Sequence, residues 1–225
     1  MTEGAQLLRL LQLASPALPV GAYSYSEGLE YAIETGWIAA APALQTWIED
    51  GLREGSATVE AAVLVRVHRA VQAGDVAGAR RWDQWLAAAR ETAELRAQSL
   101  EMGQSLRRLL AQLHPGERAF ETLRDWPGNF VVVYGIAAAH WGIPVRDATL
   151  GYLQGWVTNL IAAGVKLIPL GQSAGQRLLY SLDGALQFAA DHALTRADDD
   201  LASAAWGMQL ASITHETQYT RLFRS

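Results

Sequence analysis

Apolar residues in this chain recur every third or fourth position and nowhere alternate. Leu44, Trp47, Ile48 and Leu52 fall at i, i+3, i+4 and i+8 behind Pro42. That spacing lines one face of an α-helix, and proline is well placed in a first helical turn, where its missing N–H would be unpaired anyway. Val59, Ala62, Val63, Val67, Ala70 and Val71 continue the pattern, with Arg66 and Arg69 on the wet side. A half-buried strand needs a period of two and a tight hairpin needs a turn such as Asn-Gly; neither occurs. The expected fold class is all-α.

Proline, glycine and polar residues divide the helices. Leu7, Leu8, Leu10 and Leu11 crowd a first short helix that Ser15-Pro16 stops, because the residue before proline is pushed out of the helical region. Ser24 stands three residues before Glu27, the spacing of a capping box, and predicts a helix from about Ser24 to Thr35. From Asp75 to Leu113 the helical period runs with few breakers until His114-Pro115-Gly116. The stretch "NFVVVYGIAAAHWGIP" is ambiguous, since three consecutive valines favour a strand, but its length and alanine-rich second half favour a helix. Asp147 opens a long helix to about Ile168, and residues 173–182, 184–194 and 201–217 form three more. The acidic "RADDD" between the last two reads as a solvated turn beside a helix N-terminus. The expectation is a single-domain bundle of roughly nine to ten helices over residues 1–225. With half of its 225 residues hydrophobic, the chain can bury one large core. Gly151, Gly155, Asn159 and Ala163 share one stripe of the long helix, where small residues allow close backbone approach.

Composition excludes several classes of function. The chain has 18 basic and 23 acidic residues and no basic run, so nucleic acid is not an expected partner. Lys166 is the only lysine. The absence of cysteine removes disulfides, thiolate metal sites and a cysteine nucleophile, and fits a reducing cytoplasm. The N-terminus lacks a basic n-region and reads poorly as a signal peptide. Residues 148–165 carry no charge, but Thr, Gln, Asn and three glycines dilute their apolarity, so a buried helix is expected and no membrane partner.

Catalytic constellations are also missing from the sequence pattern. No two of the histidines at 68, 114, 140, 192 and 215 stand three or four residues apart, so no helical face carries an imidazole pair. His215-Glu216 begins like a zinc-protease helix, but Tyr219 stands where the second ligand belongs, leaving a capping or surface histidine. Glu91 and Glu94 share a face, yet Arg90 and Arg96 beside them make an ordinary charged surface. "GQSAGQR" at 171–177 offers Gln176 and Arg177 where a phosphate loop needs lysine and a hydroxyl, and no Gly-x-Ser-x-Gly elbow occurs. The chain is not expected to be an enzyme, and neither a metal nor a cofactor is expected to be bound directly. Uncharged polar residues gather instead in "SPALPVGAYSYSEGLE" and "VKLIPLGQSAGQR", Pro- and Gly-broken loops of the kind that carries protein contacts on a helical scaffold.

Those two stretches extend into longer motifs. "LASPALPVGAYSYSEGLE" at 13–30, "NLIAAGVKLIPLGQSAGQRLL" at 159–179 and "HETQYTRLFRS" at 215–225 resemble the urease accessory protein family UreF, in the expected order along the chain. Tyr23 stands where Phe is more usual and Glu27 where Gln is frequent. The resemblance implies an all-helical homodimer without catalysis of its own that acts in the maturation of nickel urease. Such proteins bridge the accessory protein UreD/UreH to the GTPase UreG, and the assembly loads apo-urease, so that nickel and GTP are handled by the complex.

The resemblance also implies sites. The segment 215–225 is similar to a partner-binding tail, which makes Tyr219, Arg221, Leu222, Phe223 and Arg224 the expected UreD/UreH contacts, with Leu222 and Phe223 as the apolar anchor. Its other reading is a frayed cationic end. The surface near the dimer axis that receives UreG is expected to hold Pro19, Gly21, Tyr23, Ser24, Glu30, Lys166, Pro169, Gly171, Gln172 and Arg177. An alternative makes the chain a GTPase-activating regulator of UreG, with Lys166 or Arg177 contributing to turnover around Glu30.

Overall fold

A computed structural model describes the backbone of residues 1–225 and all side chains except those of residues 122 and 124. Twelve α-helices follow one another: α1 (Glu3–Leu13), α2 (Leu29–Glu34), α3 (Ala41–Glu54), α4 (Ser56–Gln72), α5 (Val76–Ala89), α6 (Ala93–Leu113), α7 (Arg118–Glu121), α8 (Phe130–His140), α9 (Val145–Leu167), α10 (Gln172–Ser181), α11 (Asp183–Thr195) and α12 (Trp206–His215). Among the described residues there is no strand. The three valines therefore belong to a helix, α8.

The core is one contiguous cluster around α4, which packs against α3, α5, α8, α9 and α11. Residues 57–65, with Val67 and His68, are all buried on α4, and residues 131–138 are all buried on α8. A helix apolar on every side must be enclosed on every side. The uncharged stretch 148–165 lies inside α9, most of it buried, and no helix of the described residues is long and apolar enough to cross a membrane. At Gly151 an added Cβ would stand 2.6 Å from Leu10 Cδ1, so this part of the small-residue stripe receives α1.

Buried polar groups shape the helix ends. Asp83 is fully buried on α5; Oδ2 accepts from Gly128 N (2.8 Å), and Oδ1 accepts from Asn129 N (2.9 Å) and Asn129 Nδ2 (2.6 Å). A carboxylate here satisfies amides at the start of α8 that have no partner within the helix. Arg66 binds Asp198 (2.6 Å), while Arg196 donates to the carbonyls of Asp200 and Ala202, which fixes the acidic turn. Asp198–Asp200 make one 3-10 turn, and the helix expected from residue 201 begins only at Trp206.

Several sequence expectations are corrected. The span 75–113 is two helices, broken at residues 90–92: Thr92 caps α6 through Leu95 N, and buried Arg90 leaves the helix to pair with Glu60. This break and the single-turn α7 raise the count above the expected nine to ten. The helix expected over 24–35 begins only at Leu29. Gly21 (φ 79°), Glu27 (φ 55°) and Gly28 (φ 80°) occupy the left-handed region, and Ala22–Ser24 make one 3-10 turn. Ser24 and Glu27 form no capping box; the Ser26 hydroxyl accepts from Glu30 N (3.3 Å) instead. At Gly28 a Cβ would lie 2.6 Å from Ser212 N, so the start of α2 meets α12 too closely for any side chain.

Candidate partner-binding surface

Residues 215–225 are bound across the helical body. In the first turn of α2, Glu30 is buried; Oε1 accepts from Leu222 N (2.7 Å), and Oε2 accepts from Phe223 N (3.0 Å) and lies 3.3 Å from His215 Nε2. Two consecutive amides held by one carboxylate make a charge-assisted clamp. His215 is fully buried, where the sequence had suggested a capping or surface histidine. Its Nδ1 lies 2.7 Å from Glu94 Oε2, and Glu94 Oε1 accepts from Arg221 Nη1 at 2.6 Å. Glu94 is thereby part of the clamp, not of a freely solvated charged face.

The last three residues close onto the opening loop. Arg224 N donates to Ser24 O (2.8 Å), and the Arg224 guanidinium reaches Glu101 (2.6 Å) and Tyr25 Oη (3.2 Å). Burial, aided by the hydrogen bond to Glu101, pushes the Tyr25 phenol up to about 12. Hydrogen bonds from Arg224 and then Tyr25 hold the Glu101 carboxyl below its ordinary range. Ser225 O accepts from Ser26 N (2.7 Å), Glu27 N (3.0 Å) and Ser26 Oγ (2.6 Å). The Glu27 side chain turns inward, where it accepts from Gln98 Nε2 (2.7 Å) and Trp156 Nε1 (2.8 Å). These demands explain why positions 24 to 27 cannot cap a helix.

The structure joins two groups of residues that the sequence had assigned to different partners. Lys166, exposed at the end of α9, holds Nζ 5.4 Å from the centre of the Phe223 ring, a cation–π geometry. Glu30, Ser24 and Lys166 thus all touch the tail. Phe223, expected as a partner anchor, is buried in this chain's own core, whereas Leu222 is 77% exposed. Glu30 is likewise buried and fully engaged, so it supports the surface from beneath. Tyr219 and Arg221 are exposed; Pro19 and Tyr23 project from the opening loop, next to Gly21 at its left-handed turn. Pro169, Gly171, Gln172 and Arg177 are exposed at the α9–α10 corner and, among the described residues, make no hydrogen bond or ion pair with the tail. No group of three or more His, Cys, Asp or Glu among the described residues could hold a metal ion.

One feature of the surface escaped sequence reading. Trp206, Leu210 and Ile213 lie at i, i+4 and i+7 on α12 and are 75%, 51% and 51% exposed. The inner side of α12 carries Ala211, Ser212 and His215, pressed against α2. The large residues therefore face outward, and Tyr219 and Leu222 add exposed apolar surface from the adjoining tail. Apolar side chains grouped in this way, with tryptophan and tyrosine among them, mark a protein-contact surface.

The UreF family model matches residues 38–183, more than half of the chain. This chain belongs to the UreF family. It is 50% identical over 218 residues to the urease accessory protein UreF of Trichormus variabilis, covering 97% of this chain and 95% of that protein. It is 47% identical to that of Synechocystis and 50% identical to that of Microcystis aeruginosa, each alignment covering both chains in full. The family model leaves out the opening loop and the tail, whereas the alignments to the Synechocystis and Microcystis UreF proteins extend over both. UreF membership makes this chain a urease accessory protein.

Proposed function

We propose that this chain is a non-catalytic scaffold in urease maturation, a cytoplasmic homodimer that bridges UreD/UreH to the GTPase UreG while nickel is loaded into apo-urease. Its family supports this, and so does one observation: the apolar stripe of α12 continues into a tail that is clamped onto the opening loop. UreD/UreH docks on Trp206, Leu210, Ile213, Tyr219, Arg221 and Leu222. UreG docks on the loop and the α9–α10 corner, through Pro19, Gly21, Tyr23, Ser24, Lys166, Pro169, Gly171, Gln172 and Arg177. Glu30, Phe223 and Arg224 lie between the two faces and hold them in one geometry. Nickel and GTP are then cargo and fuel of the assembly, and this chain contributes shape and charge.

The test is a pull-down with UreD/UreH. Truncating a central tryptophan anchor costs about 2 kcal/mol or more, so Trp206→Ala should weaken binding roughly thirtyfold, and adding Leu210→Ala should weaken it further. Undiminished binding by a folded double variant refutes the α12 assignment. A second reading, stimulation of UreG turnover, is favoured by Arg177, which is exposed and has no ion-pair partner among the described residues. A large stimulation lost in Arg177→Ala would replace the scaffold reading by that one.

A further inference from the structure

Beneath the opening loop lies a cavity of about 140 Å³, between the turn after α1 and helices α6, α8 and α9. Leu13, Val20 and Met102 give it apolar walls, and Glu27, Glu60 and Arg90 give it charge. These charges do not cancel. Glu60 is spent on Arg90, and its other oxygen accepts from Tyr152 Oη at 2.5 Å. Glu27 is only 8% exposed, and its two oxygens accept from the neutral donors Gln98 Nε2 (2.7 Å) and Trp156 Nε1 (2.8 Å). Gln98, Tyr152 and Trp156 all line the cavity, so the Glu27 carboxylate is held at its wall. Burial pushes the Tyr152 phenol up; Arg90 opposes this and the Glu27 charge adds to it. A carboxylate taken out of water is stable when paired, and neutral donors satisfy its geometry without neutralising its charge. Each oxygen keeps a second acceptor position. The lining therefore carries one surplus negative charge, which a single cation would balance.

Size and walls restrict that cation. An engineered cavity of about 150 Å³ takes up benzene, so the space here holds about six non-hydrogen atoms, far more than a bare ion fills. A transition metal needs several carboxylate, imidazole or thiolate ligands, and among the described residues no group of three or more His, Cys, Asp or Glu could hold one. An ammonium group on a short apolar stem meets both conditions: its N–H groups donate to the carboxylate, and its carbons replace empty space beside apolar side chains. We propose that this cavity binds one small primary alkylammonium ion, with its ammonium group on Glu27 and its alkyl chain against Leu13, Val20 and Met102. Pro16, Leu18 and Tyr23 line the cavity too, so occupancy bears on the loop that carries the partner surface.

Calorimetric titration of the full chain, in a buffer free of amines, with n-butylammonium, n-butanol and butyrate tests the proposal, since the three share a stem and differ in charge. A hydrogen bond to a charged group is roughly twice as strong as a neutral one, so butylammonium should bind saturably and at least about tenfold more tightly than butanol, and butyrate should not bind. Glu27→Gln removes the charge and keeps the size of the side chain and one acceptor oxygen; it should stay folded and lose the preference for butylammonium. Gly155 lines the cavity, and a Cβ there meets nothing closer than Ala14 O at 3.9 Å, so Gly155→Leu can fill the space without displacing the backbone. That variant should stay folded and lose butylammonium binding altogether. Absence of saturable butylammonium binding, equal affinity for butanol or butyrate, a preference that survives in folded Glu27→Gln, or binding that survives in folded Gly155→Leu overturns the proposal.

Discussion

Replacing Glu30 by alanine removes the acceptor that holds two consecutive tail amides, at 2.7 and 3.0 Å, and leaves His215 Nε2 without its 3.3 Å neighbour. A hydrogen bond to a charged group contributes about 1.5–3 kcal/mol net. The two amides do not lose equally. Leu222 is exposed, so water can take over at its N–H, whereas Phe223 is buried and its N–H is left unpaired. The cost to tail docking is therefore about 2–4 kcal/mol: one full charge-assisted bond and a fraction of the second. At about 1.4 kcal/mol per tenfold, the tail opens roughly thirty- to several-hundredfold more often. Native-state hydrogen exchange reads this directly, with the amides of Phe223, Arg224 and Ser225 as reporters and those of α4 as the internal reference. Exchange should rise at the tail and stay constant in α4, and Glu30→Gln, which keeps one acceptor oxygen, should fall between. If Phe223 exchange in Glu30→Ala stays within about threefold of the parent, Glu30 is not the clamp. An equal rise in α4 would show global destabilisation and refute the local account.

Two further perturbations follow from named contacts. Asp83→Ala strips the acceptor from Gly128 N and Asn129 N in the buried core and leaves Asn129 Nδ2 only the backbone carbonyl of residue 83; a loss of about 3 kcal/mol or more should appear as a fall in melting temperature of roughly 6–12 °C, and an unchanged melt would refute the capping role. The Glu101 carboxyl is depressed by Arg224 first and Tyr25 second, so its contribution to the folded state is complete above the ordinary carboxylate pKa and is lost as pH falls through the depressed folded value. Carbon-detected titration of Glu101 should show the low value, and Arg224→Ala should move it upward; a titration indifferent to Arg224 would remove the tail from the explanation.

Where local spacing decides the structure, the sequence was legible. Helices α3 and α4 follow from the period of their apolar residues, and Pro42 sits in the first turn of α3 as its chemistry requires. Distant demands account for the misreadings. Ser24 and Glu27 have capping-box spacing, yet Glu27 answers to Gln98 and Trp156, 71 and 129 positions away, and its amide answers to Ser225. The break at 90–92 is set by Glu60 on another helix. For α12 a helix over 201–217 was expected, but its orientation was not legible. Periodicity reveals that a face is apolar, whereas Gly28 lying against Ser212 decides that the small residues turn inward and Trp206, Leu210 and Ile213 turn outward.

The clamp changes how substitutions on this surface should be interpreted. Glu30, Ser24 and Lys166 lie far from residues 222–224 in sequence, but each touches them: Glu30 through two amides, Ser24 through a carbonyl, Lys166 over an aromatic ring. A change at Glu30 that weakens a partner therefore has a route that needs no direct contact, because releasing the tail frees Phe223 from the core and Arg224 from Ser24. Arg177 offers no such route, since it is exposed and bonds to nothing in the tail. Glu30 variants thus report on coupling between the two faces, while Arg177 variants report on the surface proposed to receive UreG. Mixing the two would assign to a contact what belongs to the fold.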